Sequence, residues 1–589
     1  MQKFKLLLIG MIVLLSSCNK PTGLLIEAES FDLKGGWVVD PQFIEQMGSP
    51  YLMAHGMGIP VLDASTEITI EKAGEYNIWV RTFNWAPGLW DAPGVFHLAV
   101  NEIVLPNKLG LNDTWNWELA GEIELEAGSA ILGLKDMTGF NGRCDAIWLS
   151  LNQDSPPTEA EDLKNWREKQ NALTTTPATA QSFDLVIVGG GLAGCAAAIS
   201  AAEHGMNVAL IHDRPVLGGN ASSEIRVHTE GIYGKFERIL KMIDTKHYPN
   251  GAPEAHFDQE RRDKNMMEYE NISIFLNWRA YATKTNGNKI TAVDAKETST
   301  GEMKRFEAPY FIDCTGDGWI GYWAGAEYFY GRESVDTYDE GWDKYGEVWS
   351  PTTADDAVMG ASVLWRTCQD DQAYTFPEVP WALEVANGYA ATKGTWNWEF
   401  ITIDHHQIDD GELIRDHMMK AIFGSFSNVK QKLGNENLKL EWMSYLLGKR
   451  ESRRLVGDHI YTFNDAKERT AFHDSVVVET RTVDVHYPQN VYDESKPDFL
   501  TEAMFYNAGR YYIPYRSLYS KDIDNMFMAG RCFSCSHIGL GGPRVMLTTG
   551  QMGAAVGIAA ALCKKHDVNP RDIYSDYMDE YWELILAQQ

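Results

Sequence analysis

Cysteine is scarce in this chain, with 8 among 589 residues. Seven of them lie beyond Cys18: Cys144, Cys195, Cys314, Cys368, Cys532, Cys535 and Cys563. They are scattered and odd in number, so they do not outline a disulfide framework. No two C-x-x-C pairs exist at the spacing of a zinc site. Cys532 and Cys535 share one such spacing, but no thioredoxin-like pattern surrounds them, and they read as small buried hydrophobes. Positive charge is also short: 52 Lys+Arg stand against 82 Asp+Glu, a net charge of -30. That balance excludes the extended basic face needed by a nucleic-acid partner. Internal repeats are missing too. With 44% hydrophobic and 23% charged residues and a mean hydropathy of -0.30, disorder, collagen and a multi-span membrane protein are excluded.

The N-terminus reads as a targeting segment. Lys3 and Lys5 precede the apolar run Leu6 to Leu15, which is shorter than the roughly 20 residues that span a bilayer. Leu15-Ser16-Ser17-Cys18 follows and resembles a bacterial lipobox. The expectation is a signal peptide over residues 1–17, lipidation of Cys18, and export to the bacterial cell envelope, at the outer membrane or periplasmic face. The membrane would be engaged through the lipid anchor only.

Residues 24–152 carry short alternating runs such as Glu67-Ile68-Thr69-Ile70, separated by turn signals such as Ala73-Gly74 and Asn112-Asp113. This pattern predicts an all-β sandwich. Residues 153–182 form a linker, opened by Ser155-Pro156-Pro157, with a short polar helix from Glu159 to Leu173 and a flexible Thr/Ala spacer. From Phe183 onward βαβ character begins. The last stretch, residues 567–589, predicts one C-terminal helix with Ile573, Tyr577, Tyr581 and Leu584 on one face.

The strand-like run Asp184-Leu185-Val186-Ile187-Val188 leads into Gly189-Gly190-Gly191-Leu192-Ala193-Gly194, then an Ala-rich helix, then a second strand at Val208–Ile211. This is G-x-G-x-x-G in the context that gives it meaning. Gly189 permits the turn, Gly191 lets backbone approach a pyrophosphate, and Gly194 lets helix and strand pack closely. The helix start, at Leu192 and Ala193, offers unpaired N–H groups and positive dipole. The ribose-binding acid is expected where His212 stands, with Asp213 next, so either residue could serve, and Asp213 is preferred. Leu217-Gly218-Gly219-Asn220-Ala221-Ser222 follows Arg214 and could wrap a cofactor closely.

Two further motifs complete a resemblance. Phe311-Ile312-Asp313-Cys314-Thr315-Gly316-Asp317 runs from a strand into a glycine turn, and Met526–Gly530 precedes a helix containing Gln551 and Gly553. In this order the four motifs are similar to those of the FAD-dependent oxidoreductase family with a two-dinucleotide-binding-domain flavoprotein fold, as found in exported proteins of glycan-degrading bacteria. The resemblance implies FAD as cofactor, held by Gly189, Gly191, Leu192, Ala193, Gly194, Asp213, Arg214, Gly218, Gly219, Asn220, Ser222, Asp317, Gly530, Gln551 and Gly553. It implies a multidomain fold: the sandwich, a Rossmann-like FAD-binding domain over 183–320 and 511–566, and an inserted α+β substrate domain over 321–510. The sandwich resembles a carbohydrate-binding module. In such modules acids placed like Glu27, Glu29 and Asp145 hold a structural Ca2+.

The implied activity is oxidation of a carbohydrate or glycan-derived alcohol, with hydride passing to flavin N5 and a His base taking the hydroxyl proton. His537 ranks first for that base and His486 second, with His228 a further candidate. Arg544 could hold a carboxylate or stabilise negative charge. The alternatives are reduction of an unsaturated acid held by Arg544, or a non-catalytic glycan-binding surface protein. No motif identifies the electron acceptor. The Lys449–Arg454 cluster reads as a solvated helix face, and the aromatic stretch Arg510 to Arg516 as a substrate wall. Trp85, Trp90, Trp115 and Trp117 fall in loop-like segments, where they could stack on sugars or fill a core.

Overall fold

The computed structural model describes residues 23–171, 176–488 and 492–588. The expected signal segment, and Cys18 with it, lies outside them. From Gly23 to Ser150 the chain builds two facing antiparallel sheets. One has six strands and centres on Gly142–Ser150, and the other has four and centres on Gly128–Asp136 with Phe96–Val100. Strict alternation makes this happen: Ala64, Thr66, Ile68 and Ile70 point inward while Glu67 and Thr69 face solvent. Leu98, Leu132, Leu134, Ile78 and Ile147 meet between the sheets with no exposure.

The acids expected to hold calcium are committed elsewhere. Asp145 is fully buried and accepts from Arg81 at 2.7 Å and Arg167 at 2.9 Å. Glu27 accepts from Arg167 at 2.8 Å and from Asn171 at 2.9 Å. Glu29 is buried beside them, and burial pushes its carboxyl well above the ordinary carboxylate range. Two guanidinium groups therefore supply the positive charge that a cation would have brought, and the calcium expectation is corrected. Among the described residues no group of three His, Cys, Asp or Glu side chains could hold a metal.

The linker helix spans Ala160–Gln170 and delivers Arg167 to that pair. Ala178–Thr179, expected as spacer, instead pairs in parallel with Lys304–Arg305.

The cofactor half is built on five parallel strands in the order Ile272–Leu276, Val208–His212, Leu185–Val188, Tyr310–Asp313, Met526–Met528. All four residues of Leu185–Val188 are buried, as a strand covered on both faces must be. The helix Leu192–Glu203 lies against Met546–His566. Glycine sets that approach: a Cβ on Gly553 would lie 2.0 Å from the Ala193 carbonyl oxygen, and one on Gly557 2.4 Å from that of Ala197. Met546–His566 is long and apolar enough to cross a membrane, but 94% of its apolar window is buried inside the protein. An antiparallel meander (Trp278–Asn286, Lys289–Glu297, Met303–Glu307) separates the third and fourth parallel strands in the chain.

The insert between Asp313 and Met526 is mixed α and β, with the long helix Gly411–Lys430 as its spine. It reaches beyond residue 510, because Tyr511–Pro514 pairs with Ser475–Glu479. Tyr511 and Tyr515 are core residues and Arg516 pairs with Asp474, so this stretch is not a substrate wall. The single C-terminal helix is two, Pro570–Asp576 and Met578–Leu586, broken at Tyr577.

Sandwich and insert are welded by buried charge. Arg415 pairs with Asp40, and Arg143 binds Glu412 at 2.7 Å and Asp416 at 2.5 Å. Trp85 packs edge-on against Trp381 of the insert at 5.0 Å, and the Trp115 indole donates to Glu412. Trp90 is partly buried in the same cluster, while the Trp117 ring meets Trp166 of the linker helix. All four tryptophans fill interfaces rather than stand free for sugars.

Candidate functional site

A cavity of about 770 Å3 runs from the glycine fingerprint to the insert. Gly189, Gly191, Leu192 and Ala193 form its floor, with Gly218, Gly219 and Asn220 opposite. Gly191 is the N-cap of the helix Leu192–Glu203, so the helix's free N–H groups open here. A Cβ on Gly191 would meet only the Gly219 Cα, at 3.9 Å, so the two glycines flank a bare backbone channel. Gly189 adopts φ +106, and a Cβ there would lie 2.1 Å from the Cys314 carbonyl oxygen. Gly530 lines the same channel at φ +109. A pyrophosphate fits this donor set: bare peptide, a helix start and no side chain in the way.

Asp317 lines the cavity between Arg531 at 2.9 Å and Lys449 at 3.0 Å. Burial would raise its carboxyl, but these cations outweigh it and hold it well below the ordinary range. Asp213 also lines the cavity and pairs with Arg279 at 2.7 Å. His212 does not compete with it for a ribose. Its Nδ1 accepts from the Gly190 N–H at 3.0 Å and its Nε2 lies 3.1 Å from the Val216 carbonyl. Burial, aided by Arg214, lowers the ring to about 4, so His212 is a neutral brace for the glycine turn. Arg214 faces the cavity and Glu224.

Four of the expected cofactor residues stand behind the wall. A Cβ on Gly194 would lie 1.9 Å from the Gly189 carbonyl oxygen, so Gly194, like Gly553, serves packing. Ser222 is fully buried. Gln551 is buried as well, donating to the Ile232 and Val478 carbonyls.

The far end of the cavity is lined by Arg450, Arg481, Arg544, Asp484, His486 and Trp396. His486 has Nδ1 at 2.5 Å from Glu399 and Nε2 at 3.2 Å from Asp484. Arg481 and Arg544 each approach Asp484 at 3.2 Å, and Arg450 approaches Glu399 at 3.4 Å. Burial would raise both carboxyls, yet these cations hold each below its ordinary value. Arg544 is half-buried, its Nε has no partner, and desolvation with Arg450 and Arg481 nearby lowers it to about 10.

His537, ranked first for catalysis, is not in this cavity. It is buried and bonded to Glu451 at 2.8 Å, within a separate ionic cluster with Arg454 and Glu333. The Lys449–Arg454 segment is likewise no solvated face: Gly448–Lys449 is strand, Arg450 enters the cavity and Arg454 is fully buried. Cys532 and Cys535 are buried free thiols, which burial pushes far above their ordinary value. Arg481 was not singled out from sequence, since it sits in no motif, and Arg450 was read only as part of the solvated cluster.

A parallel sheet whose first strand opens through a bare glycine turn onto a helix N-terminus, beside a long cavity lined by that turn, defines a dinucleotide-binding protein. The chain belongs to the FAD dependent oxidoreductase family, whose model matches residues 184–581. It is 48% identical over 69 residues to Fumarate reductase (cytochrome) of Shewanella frigidimarina, a match covering 12% of each chain. That strain NCIMB 400's Fumarate reductase (cytochrome) is 49% identical over 65 residues. The chain thus spans about an eighth of the length of the curated relatives it matches. Among solved structures, a family 35 carbohydrate binding module from Clostridium thermocellum aligns with 21% of this chain and 97% of its own, at 18% identity and a TM-score of 0.18. A geranylgeranyl bacteriochlorophyll reductase-like protein from Thermoplasma acidophilum aligns with 69% of this chain and 87% of its own, at 12% identity and a TM-score of 0.31.

Proposed function

We propose that this FAD-dependent oxidoreductase reduces a small unsaturated substrate bearing a carboxylate, held at the arginine-lined end of the cavity. The observation that carries this reading is Arg544: a guanidinium at the cavity wall whose Nε is buried without a partner and which shares the one Asp484 carboxylate with Arg481. A substrate carboxylate would add an acceptor among these arginines. When bound, FAD supplies the two-electron redox partner. His486 bears on the redox direction. Both of its nitrogens face carboxylates, so neither is free to take a proton from an alcohol. With both nitrogens engaged, His486 positions the Glu399 and Asp484 carboxylates that hold Arg450 and Arg544. The short match to a fumarate reductase supports the same direction without extending it to that substrate.

Carbohydrate oxidation is the second reading. It is supported by Trp396 and Phe505, which line the cavity with 45% and 56% of their surface exposed and offer apolar faces to a sugar ring. An anaerobic spectrum separates the two. Reduced protein reoxidised by an unsaturated acid, but oxidised protein not bleached by sugars, supports the first; the converse supports the second. Export with lipidation at Cys18 stands as a companion proposal, supported by Leu6–Leu15 and the small residues before Cys18.

A further inference from the structure

The cofactor cavity is not closed by the oxidoreductase half alone. Gln42, Phe43 and Glu45 of the sandwich line it together with the glycine fingerprint. They sit in the connection between the strands Val38–Asp40 and Tyr51–Ala54, the edge of the six-stranded sheet. Three contacts hold that connection down, the first in the cofactor half and the other two in the insert. Arg279 donates to Glu45 at 2.6 and 3.0 Å and, from its other arm, to Asp213 at 2.7 Å. Gln42 accepts from the Leu447 N–H at 2.8 Å and donates to the Tyr445 carbonyl at 3.1 Å. The buried Asp40–Arg415 pair anchors the strand that leads into it.

Asp213 marks which end of the cofactor this is. In a Rossmann unit an acid at the end of the second strand faces the ribose of the nucleotide, and Asp213 follows directly on the strand Val208–His212. The Glu45–Arg279–Asp213 bridge therefore crosses the nucleoside end of the cavity, opposite to the Arg544 end. We propose that the sandwich works as a clasp over the adenosine end of FAD, so that cofactor release requires the Gln42–Glu45 connection to lift. The module then serves cofactor retention, with the aromatic side of its fold spent on the weld to the insert. This inference rests on the assignment of FAD to the cavity.

The test uses the full chain. Glu45→Lys places a cation against Arg279, and Glu45→Gln removes only the charge. Glu126→Lys, on an exposed sandwich loop, is the control. FAD release is followed by the gain in flavin fluorescence after dilution, and apo-protein melting is recorded alongside. Release is expected to be about tenfold faster in Glu45→Lys, corresponding to about 1.4 kcal/mol, with a smaller acceleration in Glu45→Gln and none in the control. If Glu45→Lys does not fold, Glu45→Gln carries the test on its own. Wild-type release rates in a folded Glu45 variant overturn the clasp while leaving the FAD site intact. Folded wild-type protein that takes up no flavin overturns both.

Discussion

Gly191→Leu separates cofactor binding from folding. The backbone at Gly191 has φ -69 and ψ -177, which any residue adopts. A Cβ there meets nothing nearer than the Gly219 Cα at 3.9 Å, so the apo-protein should fold normally. The added side chain nevertheless enters the channel between the two glycines, which a pyrophosphate must share. Hydrogen bonds to a charged group contribute about 1.5–3 kcal/mol each. Losing two costs about 3–6 kcal/mol, or roughly 10²–10⁴ in Kd. Gly194→Ala is the contrasting variant, since its Cβ would lie 1.9 Å from the Gly189 carbonyl oxygen. It should destabilise the fold itself by about 1–3 kcal/mol or more. The assay is FAD titration by fluorescence quenching together with apo-protein thermal melting. Gly191→Leu purified with stoichiometric flavin would refute the reasoning, as would an unaltered melt for Gly194→Ala.

His212 should impose a pH dependence on stability. In the unfolded chain it takes up a proton near 6.5, whereas burial holds the folded ring neutral down to about 4. Its contribution is therefore complete above pH 6.5 and is lost as pH falls toward 4, to a total of about 3 kcal/mol. Denaturant melts of His212→Asn should lose that slope, and an unchanged slope refutes the assignment. Arg544→Met should raise KM for an acidic substrate about 10- to 100-fold, the loss of one or two charged hydrogen bonds, while flavin content and a neutral substrate's KM stay unchanged. Steady-state kinetics on both substrates check it. Arg167→Ala leaves Asp145 and Glu27 short of a cation and should destabilise the sandwich by about 3–5 kcal/mol. Added calcium or chelator should leave the wild-type melting temperature where it was, and a calcium-dependent rise would restore the metal reading.

The cofactor strand, its glycine turn and the helix after it were legible because they are contiguous: a buried run, three glycines and an Ala-rich segment specify one local unit wherever it is folded. Alternation alone likewise specified the two-sheet sandwich. His212 shows where that reading stops. Its place at the end of the second strand was visible, but only packing against Gly190 and Val216 made it a neutral brace and left Asp213 to face the cavity. His537 stands shortly before the helix Met546–His566 in sequence, yet its ring turns into the Glu451 cluster rather than the cavity. Glu27 and Asp145 stand where the resemblance to carbohydrate-binding modules implies cation ligands, and the linker helix answers them with an arginine.

What the sequence determined by itself was thus the family, the cofactor end of the site and the order of domains. The tertiary structure alone assembled the arginine-lined end of the cavity and brought a connection of the sandwich onto its other end. Arg450, Arg481, His486 and Arg544 come from separate segments of the insert and its return to the sheet, and Gln42 to Glu45 arrive from the other end of the chain. A local signal depends on dihedral preferences and periodicity, which neighbouring residues share. Charge pairing and burial depend on which distant surfaces meet, and that is settled only when the whole chain packs.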